Sequence, residues 1–174
     1  LYINVSDKDN QGLFGNTTAE AADASFIRNT SVGAQSYVRG KTHVGALVGQ
    51  AKTTELANCS NAAEISTEPG RPHNSSAAGG IAGYLHEGNV SGCSNTGAVT
   101  AEGYSNAGGI AGGGFKNKIT NCFNTGAVTA GVAGPDDGGT STASGIIVRS
   151  SYGDGIMNCY NTGTVSGTTA DPVG

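Results

Sequence analysis

Tryptophan is absent from this 174-residue chain, aromatic residues make up 6% and charged residues only 13%. A shortage of charge excludes the highly charged type of disordered segment. Nine Lys and Arg stand against 13 Asp and Glu, a net charge of −4, so no basic face exists to neutralise phosphates and nucleic acid is excluded as a partner. No run of 18 apolar residues occurs, so no segment reads as a membrane-spanning helix and no membrane insertion is expected. Proline is rare, at 4 residues, and the 30 glycines follow no G-X-Y period, which excludes a collagen helix. No window carries apolar residues at helical spacing. The chain opens at Leu1 with no signal peptide, which points to a piece excised from a longer protein that continues in both directions.

What the chain does have is internal repetition, and that governs the fold. Glycines bracket a short apolar phrase at Gly12–Gly15, Gly45–Gly49, Gly79–Gly83 and Gly108–Gly112, and more loosely at Gly145–Ile147. A second phrase ends in cysteine, at Cys59, Cys93, Cys122 and Cys159, with a decayed copy at Ile27–Thr30. Asn-Thr-Gly followed by an alternating apolar stretch comes next, at Asn95, Asn124 and Asn161. Leu47 to Leu56, Ile81 to Val90 and Ile110 to Ile119 are each nine residues, and every cysteine precedes its Ile or Val by six. The remaining interval varies, so insertion is confined to one corner of the unit. Two sides of fixed length and one variable corner describe a solenoid.

The segments are short, β-branched and bounded by Gly, Asn, Ser and Thr, which makes them strands. Three strands in a unit of roughly 30 residues predict an all-β parallel β-helix, one coil per repeat. A single solenoid over residues 1–174 follows, with degenerate coils over 1–44, well-matched repeats over 45–166 and a tail or linker over 167–174. Equivalent residues then stack. Ile81, Ile110 and Ile146 form one inward ladder; Val90, Ile119 and Ile156 a second; Val99, Val128 and Val165 a third. Alternation by two from each cysteine turns Asn95, Asn124 and Asn161 inward as an asparagine ladder. Glycines are expected to supply positive φ at corners and close approach between coils. In-register cysteines on parallel strands point the same way, which suits a reduced ladder of Cys59, Cys93, Cys122 and Cys159 better than disulfides. Their long gaps offer no C-x-x-C clip for zinc.

The glycine-bracketed phrase followed by N-C-x-N-T-G-x-V resembles the GLUG motif repeat, best over Gly45–Ser166 and more weakly from Gly12. That repeat is found in bacterial surface and secreted proteins, including the non-catalytic region of IgA1-specific zinc metalloendopeptidases. The resemblance implies a non-catalytic repeat module of an exported bacterial protein, secreted or on the cell surface, acting as adhesin, spacer or substrate-presenting segment. A peptidase of that type needs a helical H-E-x-x-H to set two imidazoles beside a glutamate base. His86-Glu87-Gly88-Asn89-Val90 lacks the second histidine, so no catalytic residue, metal site or cofactor is assigned.

Other chemistry finds little purchase. A polysaccharide lyase or hydrolase on a β-helix requires converging carboxylates, and Asp136-Asp137 is the one local pair. Asp7–Gly12 imitates a calcium loop but has Thr18 at its twelfth position. Six N-x-[ST] strings read as turn asparagines, and the single column Thr100, Thr129, Ser166 is too narrow to bind ice. Ligand recognition falls to the corner segments Thr67–Ala77, Ala101–Ala107 and Ala130–Ala143, which carry Arg71, His73, Tyr104, Asp136 and Asp137. Tyr84 and Phe115 read equally as sugar-stacking platforms and as cap residues. A host glycoprotein, glycan or immunoglobulin, and neighbouring domains of the same chain, are the partners this reading supplies. A carbohydrate-active enzyme and a pure spacer are the rival readings.

Overall fold

The computed structural model describes residues 1–20, 25–69, 76–131, 141–152 and 155–167. They form a stack of short parallel strands, with no helix among them. Each coil visits five sheets in turn. The first sheet contains Tyr2–Asn4, Tyr37–Gly40, Glu64–Thr67, Val99–Ala101, Val128–Ala130 and Val165–Gly167. The second contains His43–Gly45, Ser76–Gly79, Ser105–Gly108 and Thr142–Ser144; the third contains Asn16–Thr18, Val48–Lys52, Ala82–His86, Ala111–Phe115 and Ser150–Ser151. The fourth runs from Ser25–Arg28 to Gly155–Met157, and the fifth from Ser31–Val32 to Tyr160–Asn161. Every pairing is parallel and joins a strand to its equivalent in the next coil, as in Ile65↔Val99 and Val99↔Val128. This is a parallel β-helix.

Five strands per coil replace the three expected from the repeat. The glycine-bracketed phrase is not one strand but a bend between two: Ser76–Gly79 ends on its first glycine and Ala82–His86 takes in its last two residues, leaving Gly80-Ile81 at the bend. Glycines on both flanks let the chain turn while Ile81 and Ile110 remain fully buried at the apex. Leu47 accepts the same role below them, its N–H donating to Ile81 O at 3.1 Å, and Ile110 N–H donates to Ile146 O at 2.9 Å.

The inward ladders fill the column. Val38, Ile65, Val99 and Val128 are buried in the first sheet, and Leu56, Val90 and Ile119 in the fourth. Ile156 and Val165, their equivalents in the last described coil, are 49% and 43% exposed because no further described coil lies over them. The opposite end is similarly open at Leu13, Phe14 and Phe26.

Positive φ falls mainly to residues other than glycine, contrary to the expectation. Asn29, Asn58, Asn121 and Asn158, with Gly92, form one left-handed column before the cysteines. Asparagine tolerates that conformation because its short amide bonds locally. The Gly of Asn-Thr-Gly serves close approach instead: a Cβ on Gly126 would lie 2.0 Å from Gly97 O, and one on Gly163 2.0 Å from Gly126 O.

The stretches of variable length in the repeats fall between the first and second sheets, after Thr67, Ala101 and Ala130. Their stems are tied together. Glu102 N–H donates to Thr67 Oγ1 at 3.2 Å, and Ser141 Oγ donates to Gly103 O at 2.6 Å.

Candidate functional site

The buried polar residues hold the column together. Asn95 Nδ2 donates both to Gly97 O, at 2.8 Å, and to Asn124 Oδ1, at 2.7 Å. Asn124 Nδ2 repeats the pattern to Gly126 O and Asn161 Oδ1, at 2.8 and 2.6 Å. The ladder extends one coil further than the Asn-Thr-Gly phrase, because Asn61 Nδ2 donates to Asn95 Oδ1 at 2.8 Å. It ends at Val32, which occupies the equivalent place beside Asn61. The amides of Asn61, Asn95 and Asn124 are spent on the column itself, and only Asn161, the partly exposed last rung, donates to a single partner, Gly163 O.

All four cysteines are free thiols, with Cys59, Cys93 and Cys122 buried and Cys159 partly so. Each of the first three has its N–H donating to the sulfur one coil on, at 3.4 Å, and each thiol donates to the carbonyl two residues before it. The Cys122 sulfur and burial together push the Cys93 thiol above the ordinary thiol range. Burial pushes Cys159 up as well. Cys93 and Cys159 are therefore protonated and poorly nucleophilic at neutral pH, whereas the hydrogen bond with Cys93 moves Cys122 the other way, below the ordinary thiol range. Among the described residues no three His, Cys, Asp or Glu converge as a metal site.

Of the corner residues, Arg71, His73, Asp136 and Asp137 lie outside the described residues. Tyr104 does not project from its corner: it is only 7% exposed, and its buried hydroxyl has no hydrogen-bond partner among the described residues. The short stretch from Ala101 to Ser105 carries it back against the column, with Gly103 at φ 71° making the turn.

A groove of about 250 Å³ opens elsewhere, between the second and third sheets. It is lined by His43, Ala77, Asn106, Tyr84, Gly113, Gly114, Arg149 and Ser151, residues contributed by four coils. Its base is glycine. A Cβ on Gly83 would fall 2.4 Å from Val44 N, and one on Gly112 2.7 Å from Ala78 O, so the two sheets meet there backbone to backbone. Above this contact the sheets carry two facing columns. One reads His43, Ala77, Asn106 and Thr142. The other reads Gln50, Tyr84 and Gly113, and the pairing of Gly114 with Ser150 sets Arg149 over Gly113.

Gly113, itself buried, contributes no side chain to the second column between Tyr84 and Arg149. A Cβ there would rest 3.5 Å from Tyr84 Cδ2 and 3.6 Å from Cε2, ordinary contact distances. Tyr84 leans toward His43, with ring centroids 5.2 Å apart at 42°. His43 Nδ1 is paired with Asn10 Oδ1 at 3.0 Å, and burial holds its pKa below the usual histidine value. The imidazole is therefore neutral near pH 7. Phe115 differs: it stacks on His86 at 5.2 Å and meets Tyr152 edge-on at 5.7 Å, so its ring is already partnered.

His43, Asn106, Gly113 and Arg149 were not singled out as ligand-binding residues by sequence reasoning. The signal for Gly113 is present in the repeats, since Gly83-Tyr84-Leu85 aligns with Gly112-Gly113-Gly114.

Neither a curated protein nor a solved structure significantly matches the chain. One family profile does, over residues 74–100, a window that runs from the second-sheet strand of one coil to the first-sheet strand of the next. The described residues of that window visit each of the five sheets once, and the profile they match is the GLUG motif.

Proposed function

We propose that this chain is a non-catalytic recognition module of an exported bacterial surface protein. It acts in adhesion, or in presenting substrate to a catalytic domain elsewhere in a larger protein such as an IgA1-type peptidase. The observation that carries this reading is the groove, a concave polar and aromatic surface to which four coils contribute residues. A rigid solenoid displaying a groove beside a loop-bearing edge is a scaffold for recognition. The non-catalytic reading is supported by the acids themselves: Glu55, Glu68 and Glu87 each pair with a cation, Arg28, Arg39 and Lys116, from an adjacent coil. Host glycoproteins, glycans and immunoglobulins are the partners this role calls for.

The test is an array of mucins, glycans and immunoglobulins probed with the whole chain and with a variant whose three corner loops are shortened. Saturable binding by the whole chain is expected. Absence of binding by both, with both folded, would leave a pure spacer; turnover of an arrayed polysaccharide would make the chain an enzyme.

A further inference from the structure

The column geometry assigns a ligand class to the groove. We propose that it takes a single carboxylated pyranose, its ring against Tyr84 at the Gly113 rung and its carboxylate on Arg149. This rests on the recognition reading above and names its ligand.

The argument begins with height. Adjacent strands lie about 4.8 Å apart, so the Tyr84 and Arg149 strands, with Gly113 between them, are roughly 10 Å apart. The middle strand adds no side chain of its own to that interval, because Gly113 stands there against the Tyr84 ring. A sugar ring laid on an aromatic face takes about one such layer, and aromatic rings favour the C–H face of a pyranose for the reason they favour cations: the negative π face. Gly113 makes this possible, since any side chain there would rest on Tyr84 in the ring's place.

Polarity chooses among ligands. Asn106 offers an amide, Ser151 a hydroxyl and neutral His43 an imidazole, groups that bond hydroxyls without demanding charge. Among the described residues, Arg149 is the one charged side chain in the lining, and no carboxylate lines the groove beside it. A guanidinium with five fixed donors selects a planar carboxylate. A groove of about 250 Å³ is the size of one monosaccharide unit rather than a protein surface. The carboxylate has two natural sources, a uronic acid within a polysaccharide and a sialic acid at the end of a glycan.

The experiment titrates the whole chain with trigalacturonate, with 3′-sialyllactose and with uncharged lactose, following saturation-transfer NMR and calorimetry. One carboxylated probe is expected to bind saturably and lactose at least about tenfold more weakly, the value of one charge-assisted hydrogen bond. Which acid binds tells the source. Gly113→Val is expected to abolish binding, with Gly113→Ala, whose Cβ meets nothing closer than 3.5 Å, as the variant that keeps the melting temperature and weakens binding. Arg149→Gln, on an exposed side chain, is expected to weaken the acid by about tenfold and leave lactose unchanged. Equal binding of lactose, or undiminished binding by folded Gly113→Val, would overturn the assignment. Array binding lost on shortening the corner loops yet kept by Gly113→Val would sink the groove ligand and leave the recognition role standing. If neither acid nor any arrayed component binds, both fall.

Discussion

A Cβ on Gly109 would lie 2.5 Å from Asn124 Cγ and 2.1 Å from Gly145 O. Gly80 stands in the same relation to Asn95 and Gly145 to Asn161. The glycine phrase and the asparagine phrase are therefore two halves of one packing unit, the first vacating the space that the second fills. Gly109→Ala drives a methyl into backbone that cannot yield, and a cost of about 3 kcal/mol is expected, at the upper end for overpacking. Thermal unfolding should fall by roughly 6–12 °C for a chain of this size. Gly113→Ala, four residues on, is the control and should leave the midpoint unchanged. Equal losses at both positions would show that the close approach to Asn124 is not what sets the requirement for glycine.

The ladder itself is cooperative. Asn124 makes a donor bond to Gly126 O, a donor bond to Asn161 Oδ1 and an acceptor bond from Asn95 Nδ2. Asn124→Ala strands the groups that met it in the column, at about 1–3 kcal/mol for each buried group. Asn161→Ala removes the last, half-exposed rung and should cost about 1 kcal/mol. Urea unfolding of the two variants measures the difference, and a larger loss at Asn161 would contradict the ladder as described.

How much of this could be read from the chain follows from which facts are local. Alternation by two leads from Cys122 to Asn124 and on to the interior, because a strand's pleat is a property of its own backbone. Asn61 escaped that reading since Ala62-Ala63 replaces Thr-Gly after it, yet its amide needs only the carbonyl of Ala63, which any residue supplies. Strand count was less legible, as a glycine-flanked isoleucine reads alike in a strand and at a bend. The groove was least legible of all. His43, Tyr84, Asn106 and Arg149 become neighbours only through coil-to-coil register, and one coil differs from the next by several residues: Ile65 to Val99 is 34, Val99 to Val128 is 29.

Thiol chemistry offers a third test. Because the cysteines stack as free thiols, reductant should leave the melting temperature unchanged, and alkylation of the folded chain should reach Cys159 first, with Cys59, Cys93 and Cys122 protected until unfolding. Cys93 holds its proton more tightly when folded than the ordinary value of 9.0. The unfolded chain releases that proton first, so this contribution to stability is complete below pH 9 and declines as pH rises beyond it. Denaturant midpoints from pH 8 to 10.5 should fall, and less steeply in Cys93→Ala. An intact mass lower by two protons per cysteine pair, without reductant, would contradict the ladder.

Acid acts through His43. Burial lowers its folded pKa below 6.5, with the nearby Asp9 charge opposing part of that shift. The unfolded imidazole therefore takes up its proton first as pH falls. Its contribution to stability is complete above about 6.5 and is lost as pH drops through that value toward the lower, folded one. Unfolding midpoints at pH 7.5 and 5.5 should differ, and His43→Gln should shrink the difference. Carbon-detected titration of the imidazole gives the folded midpoint directly, expected under 6.5. A carboxylated sugar bound beside the ring would favour the imidazolium, so the same titration repeated with saturating ligand should move the midpoint upward. A midpoint at or above 6.5 in the free chain would mean that Asp9, not burial, governs this residue.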